Sequence, residues 1–138
     1  MTSIEPARID ELVSAAREIR ASAYAPYSGF HVGAAVLSID DQVFTGVNVE
    51  NASYPVSVCA ERNAIGTAVG AGVTSVRAVA VVTDAETPTP PCGACRQVLF
   101  EFGGPGMAVI AESADGSVRS FSSLDELLPI LAGAADGR

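Results

Sequence analysis

The 138-residue chain contains no lysine, and its eight basic residues, all arginines, face sixteen acidic ones for a net charge of −8. A polyanion such as RNA or DNA meets an unfavourable average field, and no block of arginines offers a local exception. A small, uncharged or cationic partner therefore fits better than a nucleic acid. Also missing is any apolar run near the ~18 residues that a membrane span needs. The opening stretch MTSIEPARIDELVSAAREIRAS is charged and amphipathic, without the apolar centre of a signal peptide. A soluble, cytoplasmic protein with no membrane partner is expected. No repeat, linker or low-complexity tract interrupts the chain. Residues 1–138 read as one domain, and with 49% hydrophobic residues it has enough apolar surface for a core.

Cysteine is scarce as well. Three of them cannot all pair internally, and a reducing compartment makes disulfides the weaker reading in any case. One isolated cysteine would ordinarily be an inert buried residue. The grouping as Cys59-Ala-Glu61 and Pro91-Cys92-Gly-Ala-Cys95 argues against that.

Apolar residues at Ile4, Ile9, Leu12, Ala15, Ala16 and Ile19 recur near helical spacing and predict a helix over Ile4–Ala23. Pro26 and Gly29 then break it into a loop, Tyr24 to Phe30. Val32–Ile39 and Val43–Val49 read as an antiparallel hairpin turning at Asp40-Asp41. The polar segment Asn48–Pro55 is the kind of loop in which binding residues sit. A helix is predicted from about Cys59 to Val69, a buried strand over Val76–Thr83, and a rigid loop over Thr87–Pro91. Another helix follows over Cys92–Phe102, then short strands at Met107–Ala111 and Val118–Phe121. A last helix opens at Ser122 or Ser123, with Glu126 placed for a capping box. This order implies an α/β fold, a three-layer αβα sandwich around a mixed five-stranded sheet.

A CxxC pair alone is ambiguous between zinc and redox chemistry. On a helix, however, residues i and i+3 share a face, so Cys92 and Cys95 can grip one ion, with Cys59 adding a third sulfur. Both groups begin predicted helices, where the macrodipole favours thiolate. Three protein ligands leave a tetrahedral zinc one open position, as in a catalytic rather than a closed structural site. The single histidine, His31, is read as a surface or partner-bonded imidazole rather than a ligand. Glu61, beside a metal ligand, is read as a proton carrier; helix-dipole compensation is the plainer alternative. A closed structural zinc site would leave that carboxylate without a purpose.

The pattern matches the Cys₃ form of the zinc nucleobase deaminases, with their non-ligand glutamate. More narrowly, APYSGFHVGAA (25–35), TGVNVENASYP (45–55), CAERNA (59–64) and PPCGACRQVLFEF (90–102) resemble the small homotetrameric zinc-dependent cytidine deaminases. The likeness runs from the first helix to ELLP (126–129). It implies hydrolytic deamination of cytidine and 2′-deoxycytidine to uridine and 2′-deoxyuridine plus ammonia, in pyrimidine salvage, with one zinc ion per subunit. It also implies roles at matching positions. Cys59, Cys92 and Cys95 bind the metal and Glu61 moves protons. Asn48 and Glu50 take the ribose hydroxyls, and Phe30 lies against the pyrimidine. The Ala60 N–H bonds the base carbonyl, Arg62 offsets thiolate charge, and Tyr54 reaches a neighbouring subunit's site. From the residues alone Phe30 reads equally well as core, and Asn48 as a turn residue. Two departures stand out: no aromatic follows Phe121, and Pro55 stands where many relatives have glycine. A blasticidin-type deaminase and a non-catalytic zinc-stabilised binding module are the rival readings.

Overall fold

The computed structural model describes residues 4–127. Helix α1 spans Pro6–Arg20, strands β1 and β2 span Val32–Ser38 and Val43–Val47, and helix α2 spans Ala60–Gly70. Strand β3 covers Val76–Thr83, helix α3 Gly93–Gly103, strands β4 and β5 Ala108–Glu112 and Arg119–Ser123, and helix α4 Leu124–Leu127. The elements agree with the predicted order; β3 matches at both ends, and the other ends differ by at most three residues. Proline at the first turn of α1 moves its start inward to residue 6, because proline suits the position where no N–H partner is needed.

The five strands form one mixed sheet in the order β2-β1-β3-β4-β5. Strand β1 pairs antiparallel with both β2 and β3, β3 runs parallel to β4, and β5 returns antiparallel along β4. The expected hairpin between β1 and β2 turns with Asp41 in the left-handed region, φ 68°. Aspartate tolerates that conformation better than most residues, and its carboxylate is held by Arg77 and, at 3.7 Å, by Arg8.

Side-chain alternation along the strands splits the interior into two cores. Ala34, Val36, Val79, Val81 and Val109 face one side, with Ala60, Ala64, Ile65 and Ala68 of α2 and Leu99 of α3. Ala35, Leu37, Ala78, Ala80, Val82 and Ile110 face the other, with Leu12, Val13 and Ala16 of α1. A sheet covered on both faces needs apolar residues at every position, so β3 carries no polar alternation. Each buried valine or leucine contributes ~1.5–3 kcal/mol. The αβα sandwich is thus the observed architecture.

Glu112 ends β4 at only 2% exposure. Such a charge is tolerable when paired: Arg17 meets one carboxylate oxygen and Arg119 Nε the other at 2.8 Å. At the start of α4 the Glu126 carboxylate accepts the Ser123 N–H at 2.7 Å, which is the expected backward half of a capping box. The position beyond ELLP, where an aromatic is lacking, lies outside the described residues. Among those described, no helix is long and apolar enough to cross a membrane.

Candidate active site

Two helix N-termini converge at the end of β3. Cys59 and Cys92 are the N-cap residues of α2 and α3, with extended backbone rather than helical geometry. The i, i+3 argument for Cys92 and Cys95 therefore holds by a slightly different route. The Cys92 side chain folds back as a cap, its Sγ accepting the Cys95 N–H at 3.5 Å, which brings the two sulfurs to 3.3 Å. Cys59 Sγ lies 3.9 Å from Cys92 Sγ, and all three sulfurs fall within 4.8 Å of one another. Tetrahedral ligands at ~2.3 Å from zinc sit ~3.8 Å apart. The donor set and its spacing are suited to one zinc ion.

Charge at the cluster is arranged around Cys59. Its thiol is lowered to about 5, first by the Cys95 hydrogen bond and then by Arg62, whose Nη2 stands 3.8 Å away. The same hydrogen bond, with burial, pushes Cys95 up. Of the two, Cys59 is the one favoured as thiolate, because the Arg62 guanidinium acts on it more strongly than on Cys95.

Glu61, at the second position of α2, is 5% exposed. Burial raises its carboxyl to about 7, and the Cys59 charge acts in the same direction. Ala60, at the first position, carries an N–H with no acceptor inside its own helix.

A cavity of about 700 Å³ opens over this cluster. Phe30, Asn48, Glu50, Tyr54, Cys59, Ala60, Glu61, Arg62 and Cys92 all line it, so the structure brings together every candidate residue except Cys95, which is buried beneath. Phe30 is a cavity wall, 37% exposed, and not core. Asn48 clamps the Phe30 segment, Nδ2 donating to the Phe30 carbonyl at 2.8 Å and Oδ1 accepting the Val32 N–H at 2.9 Å. His31 is the partner-bonded imidazole expected of it: Nδ1 lies 3.0 Å from Asp84, which also binds Arg20.

Residues 6–111 match the family model described as cytidine and deoxycytidylate deaminase zinc-binding region. The chain belongs to this deaminase family. A cytidine deaminase of Sporosarcina psychrophila is 43% identical over 121 residues, 88% of each chain. Among solved structures, the cytidine deaminase of Burkholderia pseudomallei is 44% identical at TM-score 0.84, covering 88% of this chain and 97% of its own. That of Mycobacterium tuberculosis is 39% identical at TM-score 0.80, covering 91% and 98%.

Several cavity residues lie outside the set that the sequence predicts. Val81 and Thr83 from the end of β3, Thr89 and Pro90 from the rigid loop, and Ser28 all line the cavity. Ser28 stood inside the APYSGF block, which was the available signal. Pro55 sits in a 3₁₀ turn, Tyr54–Val56, at a position that proline suits.

Arg96 is another contact outside that set. Its Nε donates to the Pro91 carbonyl and its Nη1 to the Leu127 carbonyl, both at 2.7 Å, tying the residue before Cys92 to α4. Groups that orient metal ligands typically account for ~10–100-fold in metal affinity. Arg96→Met keeps the aliphatic stem and removes both donors. It should weaken zinc binding about tenfold in competition with a chromophoric chelator; unchanged affinity would show that the tie is dispensable.

Proposed function

We propose that this protein hydrolytically deaminates cytidine and 2′-deoxycytidine to uridine and 2′-deoxyuridine, releasing ammonia. The observation that carries the reading is one cavity holding a three-sulfur metal site, a buried carboxyl and a polar loop suited to a sugar. A zinc ion on Cys59, Cys92 and Cys95 supplies Lewis acidity, bringing the pKa of a water toward ~7. Glu61, shielded from bulk solvent, takes a proton from the attacking water. As carbon 4 gains the oxygen, Glu61 passes that proton to ring nitrogen 3. It then takes the second proton from the added hydroxyl and gives it to the amino group, whose bond to carbon 4 breaks as the carbonyl forms and ammonia leaves. Water exclusion strengthens each of these contacts.

The other residues orient and balance. The Ala60 N–H donates to the base carbonyl, and the Phe30 ring packs on the pyrimidine. Three thiolates and one divalent zinc leave a single negative charge, which Arg62 offsets. Asn48 retains one amide hydrogen and one lone pair beyond its clamp, enough for a sugar hydroxyl. Tyr54, 85% exposed, does nothing for its own core. In this reading it completes a neighbour's cavity in a homotetramer, and a monomeric native mass would refute that part. Three unpaired thiols at a metal site suit the reducing cytoplasm.

Glu50 argues for nucleosides over nucleotides. Its carboxyl is held below the usual carboxylate range, first by the Ser28 hydroxyl and then by the backbone N–H groups of Ser28 and Tyr27. It is therefore a fixed anion on the cavity wall, and a substrate phosphate is repelled. Steady-state kinetics should give cytidine at least a tenfold advantage in kcat/KM over cytidine 5′-phosphate, the scale of one like-charge contact through a partly screened medium. Equal values would remove Glu50 as the discriminator.

The deciding experiment follows cytidine by ultraviolet absorbance with zinc-loaded protein. Conversion to uridine is expected. No conversion of any aminopyrimidine nucleoside would leave a non-catalytic zinc module, and turnover of blasticidin alone would move the substrate.

A further inference from the structure

The loop before β1 holds a small hydrogen-bonded hub centred on Ser28. The Ser28 hydroxyl donates to Glu50 Oε2 through a short contact and accepts the Phe30 N–H at 3.0 Å. Glu50 Oε1 meanwhile accepts the backbone N–H groups of Tyr27 at 3.0 Å and Ser28 at 3.1 Å. A hydroxyl has one hydrogen and two lone pairs, so one oxygen can serve both partners at once. The Phe30 peptide is consequently fixed at both ends, its N–H by Ser28 and its carbonyl by Asn48.

We infer that Ser28 is a positioning residue that sets the Glu50 carboxylate and the Phe30 ring for the two halves of the substrate. The inference rests on the proposed nucleoside reading, in which Glu50 meets the sugar and Phe30 the base. An ionised carboxylate offers about four acceptor positions, and three are taken by the chain itself. The one left is on Oε2, the oxygen that Ser28 holds, so the hydroxyl decides where the remaining lone pair points. Without it, Oε2 is free to swing and the 28–30 turn loses the acceptor for its N–H. Neither change touches the metal cluster or Glu61. The effect should therefore fall on ground-state binding, raising KM while kcat changes little.

The test uses zinc-loaded protein and cytidine. Ser28→Ala should raise KM about tenfold, the scale of a hydrogen bond to a charged group, with kcat within about twofold and zinc content unchanged. Ser28→Thr keeps the hydroxyl and should return KM to within about threefold of wild type. If Ser28 acts through Glu50, adding Ser28→Ala to Glu50→Gln should cost no more than about twofold beyond Glu50→Gln alone. An unchanged KM in Ser28→Ala overturns the inference, and so does a fully additive double variant or a loss confined to kcat. Should Glu50→Gln raise KM while Ser28→Ala does not, this inference alone fails. Should Glu50→Gln itself leave KM unchanged, the sugar-side reading of the cavity fails with it.

Discussion

Glu61→Gln should lower kcat for cytidine by ~10³-fold or more while the protein keeps its zinc. Glutamine has the same shape and its carbonyl oxygen still accepts hydrogen bonds, but it cannot take a proton from water or return one to a leaving amine. Both transfers are assigned to the same carboxyl, so no second group is placed to replace it. Stability should move little, or upward. Glu61 is 5% exposed, and burial already works against its charged form, so a neutral isostere removes a desolvation cost. Steady-state kinetics, zinc analysis and a thermal melt on one preparation separate the possibilities. A variant that deaminates at more than a tenth of the wild-type rate would exclude Glu61 as the proton carrier. One that loses zinc would instead give the residue a structural role. Inactive, zinc-loaded and undiminished in melting temperature is the signature of a carboxyl kept for chemistry at the expense of stability.

Much of this was legible from residues alone because the signals were local. The three cysteines and Glu61 occupy two short blocks, and helix N-termini constrain their geometry within a few residues. The unbroken apolar run in β3 announced a sheet covered on both sides. What the sequence concealed depends on contacts between distant positions. Glu112 at the end of β4 gives no sign that Arg17, far back in α1, will neutralise it. Arg96 looks like any helical arginine until the chain folds and places Leu127 against it. Asn48 could be read as a turn residue or as a sugar ligand. The structure shows a clamp with donor and acceptor capacity to spare, so the two readings are compatible. Ser28 was visible within a recognised block, but its two-sided hydrogen bonding requires Glu50 and Phe30 to meet in space.

Gly46 is the position where fold and chemistry are most tightly joined, and Gly46→Ala should lower kcat/KM about 100-fold. The glycine lies in β2 opposite Ala34, directly beneath α2. A methyl group there would sit 2.3 Å from the Ala64 nitrogen, 2.6 Å from the Ala60 carbonyl oxygen and 2.8 Å from the Asn63 carbonyl carbon. All three are backbone atoms of one helix, so no flexible side chain can yield. Comfortable separations for such atoms are ~3.5–4.0 Å, and α2 must retreat by roughly 1 Å or more. That helix carries Cys59 at its cap, the Ala60 N–H at its first position and Glu61 at its second. A shift of that size in a reacting group costs ~100-fold. Overpacking of this kind costs ~1–3 kcal/mol, which should lower the melting temperature by about 5–10 °C. Gly66, one turn further along the exposed side of α2, is the control, since a methyl group there meets nothing within 4 Å. Gly66→Ala should raise stability by up to ~1 kcal/mol through helix propensity alone, with turnover unchanged. If Gly46→Ala retained wild-type kcat/KM, the close approach of α2 to β2 would not be what sets the catalytic geometry.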